Sequence, residues 1–407
     1  MTTAGTGTSD HAMAAIASAR RASAAERAST VDLTIELCPL TAIGSVVEPW
    51  KRLAARALEP NVFYDPAFAL AAQSALGRGV TAGLVWSLSP HELLGFFPVY
   101  VDSHRYGLPL PVLCGWTHPF APLGTPLVHR EFAEPVIAAW LDHVARDPAL
   151  PGLMLMPFLG ETGAFATVLD AVVDRRDMVS AAFDRHERAL LAPGADRTGY
   201  IAWAVAAKKR KEFARQWRRL EDHGTVTVER DDGPHRVAAA LEDFLVIEAS
   251  GWKGRAGTAA ANDDGIRRFL TRAVMDLAAE QRASVYRLIS GERAIAAAIT
   301  LRSGSTAWCW KIAYDENYAR YSPGAQLLLR VTEDLLHEPG IEYADSCATA
   351  HHPLIDHIWR ERLSVADRLI AVKPDRLLPF TLACRLEEMR RLGLSAARAV
   401  RDHLRRR

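Results

Sequence analysis

The chain has 407 residues, room for two or three ordinary domains, with 49% hydrophobic and 24% charged residues and a formal net charge of +1. So balanced a charge provides no global field to gather nucleic acid, and each basic run has to be weighed by itself. Five cysteines, an odd number without C-x-x-C spacing, argue against a disulfide framework and against structural zinc, so a reducing cytoplasm is the expected compartment and no metal is expected.

Residues 1–30 are rich in Ala, Ser, Thr, Gly and Arg and have no apolar h-region, so a disordered tail is expected there. No apolar run approaches the ~18–20 residues of a membrane span. A first folded unit is expected over 31–199. VDLTIEL (31–37) alternates like a strand, and 45–58 and 66–76 read as helices, the second opening on Pro66. TAGLVWSL and ELLGFFPVYVDS form a hairpin across residues 89–91. The segment 107–127, with five prolines and three glycines, is a long structured loop. A helix at 131–146, a strand at 152–158, a helix at 161–175 and a strand at 179–183 follow.

A second unit is expected over 200–373. It opens with one long basic helix, AWAVAAKKRKEFARQWRRLEDHG, whose 208–219 stretch has seven Lys/Arg and one Glu. Phe213, Trp217 and Leu220 at i, i+4, i+7 turn one face inward, and the other face is solvated or meets phosphate groups. A strand (225–232), an amphipathic helix (234–250), a Gly/Ala loop and a helix capped by Asn262 come next. Ser284 to Ser346 then reads strand, turn, strand, loop, strand, glycine loop, helix, strand. The segment 374–407 is a basic amphipathic helix. Over 385–407 it has eight arginines against three acids, which suits peripheral contact with an anionic membrane face.

Four segments carry candidate chemistry. In RYSPGAQ (320–326) a helix start follows a strand and could face a phosphate. Gly324 and Ala325 permit close approach, Arg320 adds a cation, and Ser322 caps the helix ahead of Pro323. In EASGWKGRAGT (248–258), Trp252 suits a pocket wall and Lys253 a phosphate or carboxylate; Glu248 becomes a general base if burial raises its pKa. In WCWKIAYD (308–315), strict alternation puts Trp308, Trp310, Ile312 and Tyr314 on one face and Cys309, Lys311 and Ala313 on the other, with Lys311 a candidate substrate-binding group. In YADSCATAHHP (343–353), Asp345 at a strand end, followed by His351 and His352, suits proton relay; Cys347 lacks a nucleophile-elbow pattern.

Four blocks in order, KKRKEFARQWRRLEDHG, EASGWKGRAGTA, YDENYARYSPGAQLLL and DSCATAHHPLIDHIW, resemble the GNAT N-acyltransferase superfamily. The closer resemblance is to the bacterial branch of cellulose and exopolysaccharide biosynthesis acetyltransferase domains. PNVFYDPAF and WTHPFAPLGTPLV extend it to the first unit. The resemblance implies an α/β (α+β) fold of tandem GNAT-like units, similar to Fem-type transferases, each a mixed, mostly antiparallel sheet flanked by helices. The first unit would be the degenerate one. It also implies acetyl-CoA or acyl-CoA as donor, without metal, and an amine acceptor such as an amino sugar or a lipid-linked amine of the cell envelope. Ile312, Tyr314, Arg320, Tyr321, Ser322, Gly324 and Ala325 would hold the donor, Trp252, Lys253 and Lys311 the acceptor, and Glu248, Asp345 or His352 would handle the proton. Backbone N–H groups at 312–315 would stabilise the oxyanion. Gln326 stands where the family loop has Gly or Ala. That keeps aminoacyl-tRNA open as a donor, the one nucleic acid expected to matter, and a non-catalytic accessory role in a polysaccharide synthase is a further alternative.

Overall fold

A computed structural model describes residues 31–194 and 196–405; the tail expected over 1–30 lies outside the described residues. The first half runs β1 (Leu33–Pro39), α1 (Val47–Ala55), α2 (Pro66–Leu76), β2 (Thr81–Leu88), β3 (His91–Asp102), β4 (Val112–Gly115), β5 (Leu127–Val128), α3 (Ala133–Arg146), β6 (Leu153–Gly160), α4 (Ala164–Arg175) and β7 (Val179–Leu191). The second runs α5 (Tyr200–Ala204), α6 (Ala207–Glu221), β8 (Val226–Asp232), α7 (Pro234–Ser250), α8 (Trp252–Arg255), α9 (Asp264–Ala279), β9 (Ala283–Ser290), β10 (Arg293–Ser303), β11 (Thr306–Tyr314), α10 (Pro323–His337), β12 (Tyr343–Asp345), β13 (Glu361–Ala371) and α11 (Leu377–Arg405).

These strands make one sheet in the order β1-β2-β3-β4-β6-β13-β7-β12-β11-β10-β9-β8, with β5 beside β3. The fold is mixed α/β, and the sheet is mostly antiparallel and flanked by helices. Each half repeats one plan: a strand, two helices (joined in the second half by the four-residue α8), a three-strand meander, a helix and a parallel strand. The parallel pairs are β4–β6, crossed by α3, and β11–β12, crossed by α10. The final strands are exchanged. β7 of the first half lies antiparallel to β12, while β13 of the second lies antiparallel to both β6 and β7.

One core runs through both halves. Trp50, Phe63 and Phe68 belong to the same buried cluster as Phe244, Phe269, Trp308 and Trp310. Helices α2 and α9 meet through Phe68 and Phe269, edge to face at 5.4 Å, and Arg282 bonds Asp65 at 2.6 Å. Asp65 also caps α2 by accepting from the Ala67 N–H, with Pro66 as the first helical residue. Burial of these aromatic rings, worth ~1.5–3 kcal/mol per large side chain, commits the two halves to one body.

Several expectations need correction. The long basic helix is two helices, α5 and α6, broken at Val205 and Ala206. Asp263, not Asn262, caps α9 by accepting from the Gly265 and Ile266 N–H groups. The proline-rich loop contains β4, and β13 is a strand that the sequence pattern does not announce.

Candidate active site

The site is made by a strand that loses its neighbour. β11 pairs with β10 over 306–314, but with β12 only at Thr306, Ala307 and Trp308. Beyond Asp345 the chain turns away, and residues 309–314 present a strand edge with no strand beside it among the described residues. The register of β11 on β10 also slips, because Thr300 faces Cys309 while Ile299 faces Lys311. Trp310 is therefore an extra, bulged residue, and a bulge re-aims the side chains after it. The expected alternation fails here. Ala313 shares the core of Trp308 and Trp310, whereas Ile312 packs with the Cys309 cluster on the other face. Lys311 is thereby turned toward α7.

Lys311 is 11% exposed, and its Nζ lies 3.4 Å from Glu248 Oε1. Lys253 Nζ bonds the same oxygen at 2.8 Å, and the other oxygen, Oε2, accepts from the Ala260 N–H at 2.9 Å. Glu248 reaches this place from the last turn of α7, fully covered, with the short α8 folding Lys253 back over it. Burial works to raise the Glu248 carboxyl, but Lys311, Lys253 and the Ala260 N–H overcome it and hold the group below its ordinary value. The expected general base is thus a charged counter-ion, which is the reverse of the raised pKa that role requires. The unusual group is Lys311, where burial outweighs the attraction of Glu248 and lowers the ammonium to about 8. Its Nζ stands 4.7 Å from the Phe120 ring. That ring is fixed from the other half, since the Trp310 indole donates to the Phe120 carbonyl at 2.8 Å. Trp252 is 56% exposed and, with Ile312 and Tyr314, lines a small cleft beside Glu248; Glu316 holds the Trp252 N–H at 2.8 Å.

The start of α10 closes one end of the gap. A cavity of about 250 Å³ is lined by Lys209, Phe213, Tyr314, Ser322, Gly324, Ala325 and His357. A Cβ on Gly324 would come within 3.2 Å of the Tyr314 ring, so glycine is what keeps strand and helix this close. The helix start differs from expectation. Ser322 takes a left-handed conformation (φ 51°), and its side chain makes no cap. Its carbonyl accepts from Ala325 at 2.9 Å and Gln326 at 3.1 Å, and Pro323 has no N–H, so Gly324 holds the donor left for a phosphate. Lys209, reaching in from α6, lines this cavity, and Arg320 does not. Arg320 is exposed over the Tyr321 ring, and Tyr321 turns inward to bond His223 at 2.6 Å. Gln326 is buried and donates to the Phe213 carbonyl at 2.8 Å, fastening α10 to α6.

At the other end of the gap, a cavity of about 420 Å³ opens between the halves, lined by Thr117, His118, Phe120, Phe158, His186, Arg188, Trp310, Lys311 and Thr349. The loop 116–128 supplies part of it, and that signal is present in WTHPFAP. Arg188 and His186 carry no motif, because only the exchanged strand β7 brings them here, and Phe158 comes from the end of β6. The two remaining proton-handling candidates stand differently from expectation. Asp345 is 2% exposed and is occupied by Arg188, whose Nη2 donates to Oδ2 at 2.5 Å, and by the Cys347 N–H at 2.9 Å. His352 Nδ1 faces the Leu354 and Ile355 N–H groups at 3.3 and 3.4 Å, a turn-forming arrangement, and burial lowers its pKa. Neither bonds to the other. Among the described residues no group of His, Cys, Asp and Glu is arranged to hold a metal.

Residues 207–352 match the family model described as acetyltransferase (GNAT) domain, a stretch that takes in α6, Glu248, Lys311, Gly324 and Asp345. Among solved structures, the chain is similar to FemX, with a TM-score of 0.54 at 8% identity over 81% of this chain and 97% of that one. It is also similar to the C-terminal domain of a putative lysylphosphatidylglycerol synthetase from Agrobacterium fabrum, with a TM-score of 0.50 at 13% identity over 85% and 98% of the two chains. A tandem GNAT protein from the clavulanic acid biosynthesis pathway aligns at a TM-score of 0.42 and 13% identity, over 84% and 99%. No curated protein matches the chain in sequence. At these identities the first two likenesses show a shared fold and nothing more.

Proposed function

We propose that the protein is an N-acyltransferase that moves an acyl group, acetyl in the simplest case, from acyl-CoA to an amine. The observation that carries this is the parting of β11 from β12 after Trp308 and Asp345, with Gly324 at one end of the gap and Lys311 at the other. An extended thioester arm laid against residues 309–314 would add itself to the sheet edge, satisfying backbone groups that have no strand beside them. Its phosphates would meet the Gly324 N–H and Lys209. The acceptor amine would enter the 420 Å³ cavity past Phe120 and His186. As the amine attacks the thioester carbonyl, the carbon–sulfur bond would break and coenzyme A leave as its thiolate, while Lys311, neutral in part near pH 8, would take the proton that the amine releases. Glu248 then steadies the ammonium so formed, and Lys253 keeps Glu248 ionised. Edge N–H groups of β11 would meet the developing oxyanion, and alignment in the gap would supply much of the acceleration. An amino sugar or a lipid-linked amine of the cell envelope fits a cavity walled by aromatic rings and histidines.

The exposed basic face of α6 favours a second reading, in which aminoacyl-tRNA is the donor. Lys208, Lys211, Arg215, Arg218 and Arg219 are exposed along that helix, and Lys209 lines the donor cavity. Calorimetric titration with acetyl-CoA, a long-chain acyl-CoA and tRNA decides between the two. Acyl-CoA binding that Gly324→Glu abolishes supports the first reading. If acyl-CoA does not bind and tRNA binds with a steep salt dependence, the second takes its place.

A further inference from the structure

Among its described residues, helix α11 lies on β7 and the exchanged strand β13 through one face. Ala383 and Glu387 are fully covered there, and Phe380 and Cys384 pack against the cluster around Val112 and Leu155. Glu387 accepts from Arg105 at 3.0 Å and 3.1 Å and from Arg390 at 2.7 Å. Arg391 reaches Asp367 at 2.6 Å and Asp184 at 3.2 Å. The opposite face is apolar and open. Leu378 is 84% exposed, Leu382 47% and Met389 67%, and with Arg385 these positions fall at i, i+4, i+7 and i+11, one above another on a helix. Single exposed leucines are ordinary, but an aligned stripe of long apolar side chains marks a contact surface.

We propose that α11 is a membrane-docking element whose stripe of Leu378, Leu382 and Met389 enters the headgroup layer of an anionic bilayer. This goes beyond the acyl-transfer reading and does not depend on it. Charge selects the occupant. Residues 385–407 have eight arginines against three acids, and one of those acids, Glu387, is sealed beneath the helix. Arg385 stands within the stripe with its side chain 75% exposed, in a surface ion pair with Glu388 at 3.2 Å that lipid phosphates can replace as the long cationic stem reaches them and the apolar neighbours insert. A second copy of the helix is the poorer partner, since two segments that each carry five more arginines than acids over 385–407 would oppose like charges. A bilayer rich in anionic lipid offers both the apolar depth and the opposite charge.

The test is co-sedimentation of the full chain with vesicles of equal parts phosphatidylglycerol and phosphatidylcholine, and with phosphatidylcholine vesicles alone. Binding to the mixed vesicles, weakened by high salt and by about tenfold or more in a Leu382→Glu/Met389→Glu variant of unchanged melting temperature, is the expected result. Both residues are exposed, so the variant is expected to fold. No association with mixed vesicles, equal association of the variant, or undiminished binding to phosphatidylcholine alone would overturn the proposal. A concentration-dependent dimer in sedimentation equilibrium that the same substitutions break, without vesicle binding, would assign the face to a second copy and overturn it too.

Discussion

Arg188 on β7 and Asp345 on β12 meet at 2.5 Å, both almost wholly buried, at the seam where strands of the two halves lie side by side. Arg188 Nη1 also donates to the Pro122 carbonyl at 2.6 Å, so one guanidinium ties together a strand from each half and the loop that lines the 420 Å³ cavity. Removing one partner strands the other charge in a low-dielectric setting. Asp345→Ala is expected to cost about 3–5 kcal/mol in a urea titration. An Arg188→Met/Asp345→Leu pair removes both charges and should recover most of that loss. If Asp345 positions rather than accepts the proton, the folded double variant keeps measurable acyl transfer; a well-folded but inactive one would return Asp345 to the chemistry.

Lys311 should leave its mark on the pH profile. A base must be unprotonated to work, so kcat/KM is expected to rise with unit slope at low pH and level off above about 8. Lys311→Met should flatten that limb and lower kcat by about 10²–10⁴-fold. Glu248→Gln, which removes the counter-charge, should move the midpoint down, since burial then acts on the ammonium with less opposition.

The same lysine makes a stability prediction of known sign. Its pKa falls from about 10.4 when unfolded to about 8 when folded. Below the folded value the buried charge costs the native state its full penalty. Between these two values the unfolded chain holds a proton that the native chain has released, so stability gains with rising pH. Measured against Lys311→Met, the wild type should therefore improve by at most about 1.4 kcal/mol per pH unit over that window, read from paired urea titrations.

Glu387 behaves oppositely. Burial works to raise its carboxyl, yet the bonds from Arg390 and Arg105 prevail and lower it to about 2. Its contribution is complete above the ordinary glutamate range near 4.3 and disappears as pH falls toward 2. Glu387→Gln should detach α11 at neutral pH, seen as faster tryptic cleavage within 377–405, and the gap between variant and wild type should close in acid.

How much of this is legible in the sequence depends on whether each feature is local. Pro66 and Asp65 announce a helix start, and the meander around Ser284–Ser303 follows from alternation and turn residues. Gly324 stands out because a glycine at the head of an apolar helix leaves room for a close neighbour, here the Tyr314 ring. The bulge at Trp310 is invisible. A single inserted residue leaves the hydrophobic pattern intact while it reverses every side chain after it, and so strict alternation puts Ile312 and Lys311 on the wrong faces. The environment of Glu248 is equally hidden, since its two lysines come from α8 and β11 and only folding brings both to one oxygen. Arg188 is 157 residues from its partner, too far for any spacing rule to pair them.

The exchange of β7 and β13 also constrains how this chain can be made. β7 leaves the ribosome complete at Leu191, yet both strands that flank it, β12 and β13, lie beyond residue 342. For the synthesis of some 150 further residues, at about 5–20 residues per second, it remains a strand with two bare edges. A truncated message that stops anywhere in that interval yields a product with an open template for pairing with its siblings. A holding chaperone, or a pause-free run through the second half of the gene, is therefore expected to set soluble yield more than any substitution in the core.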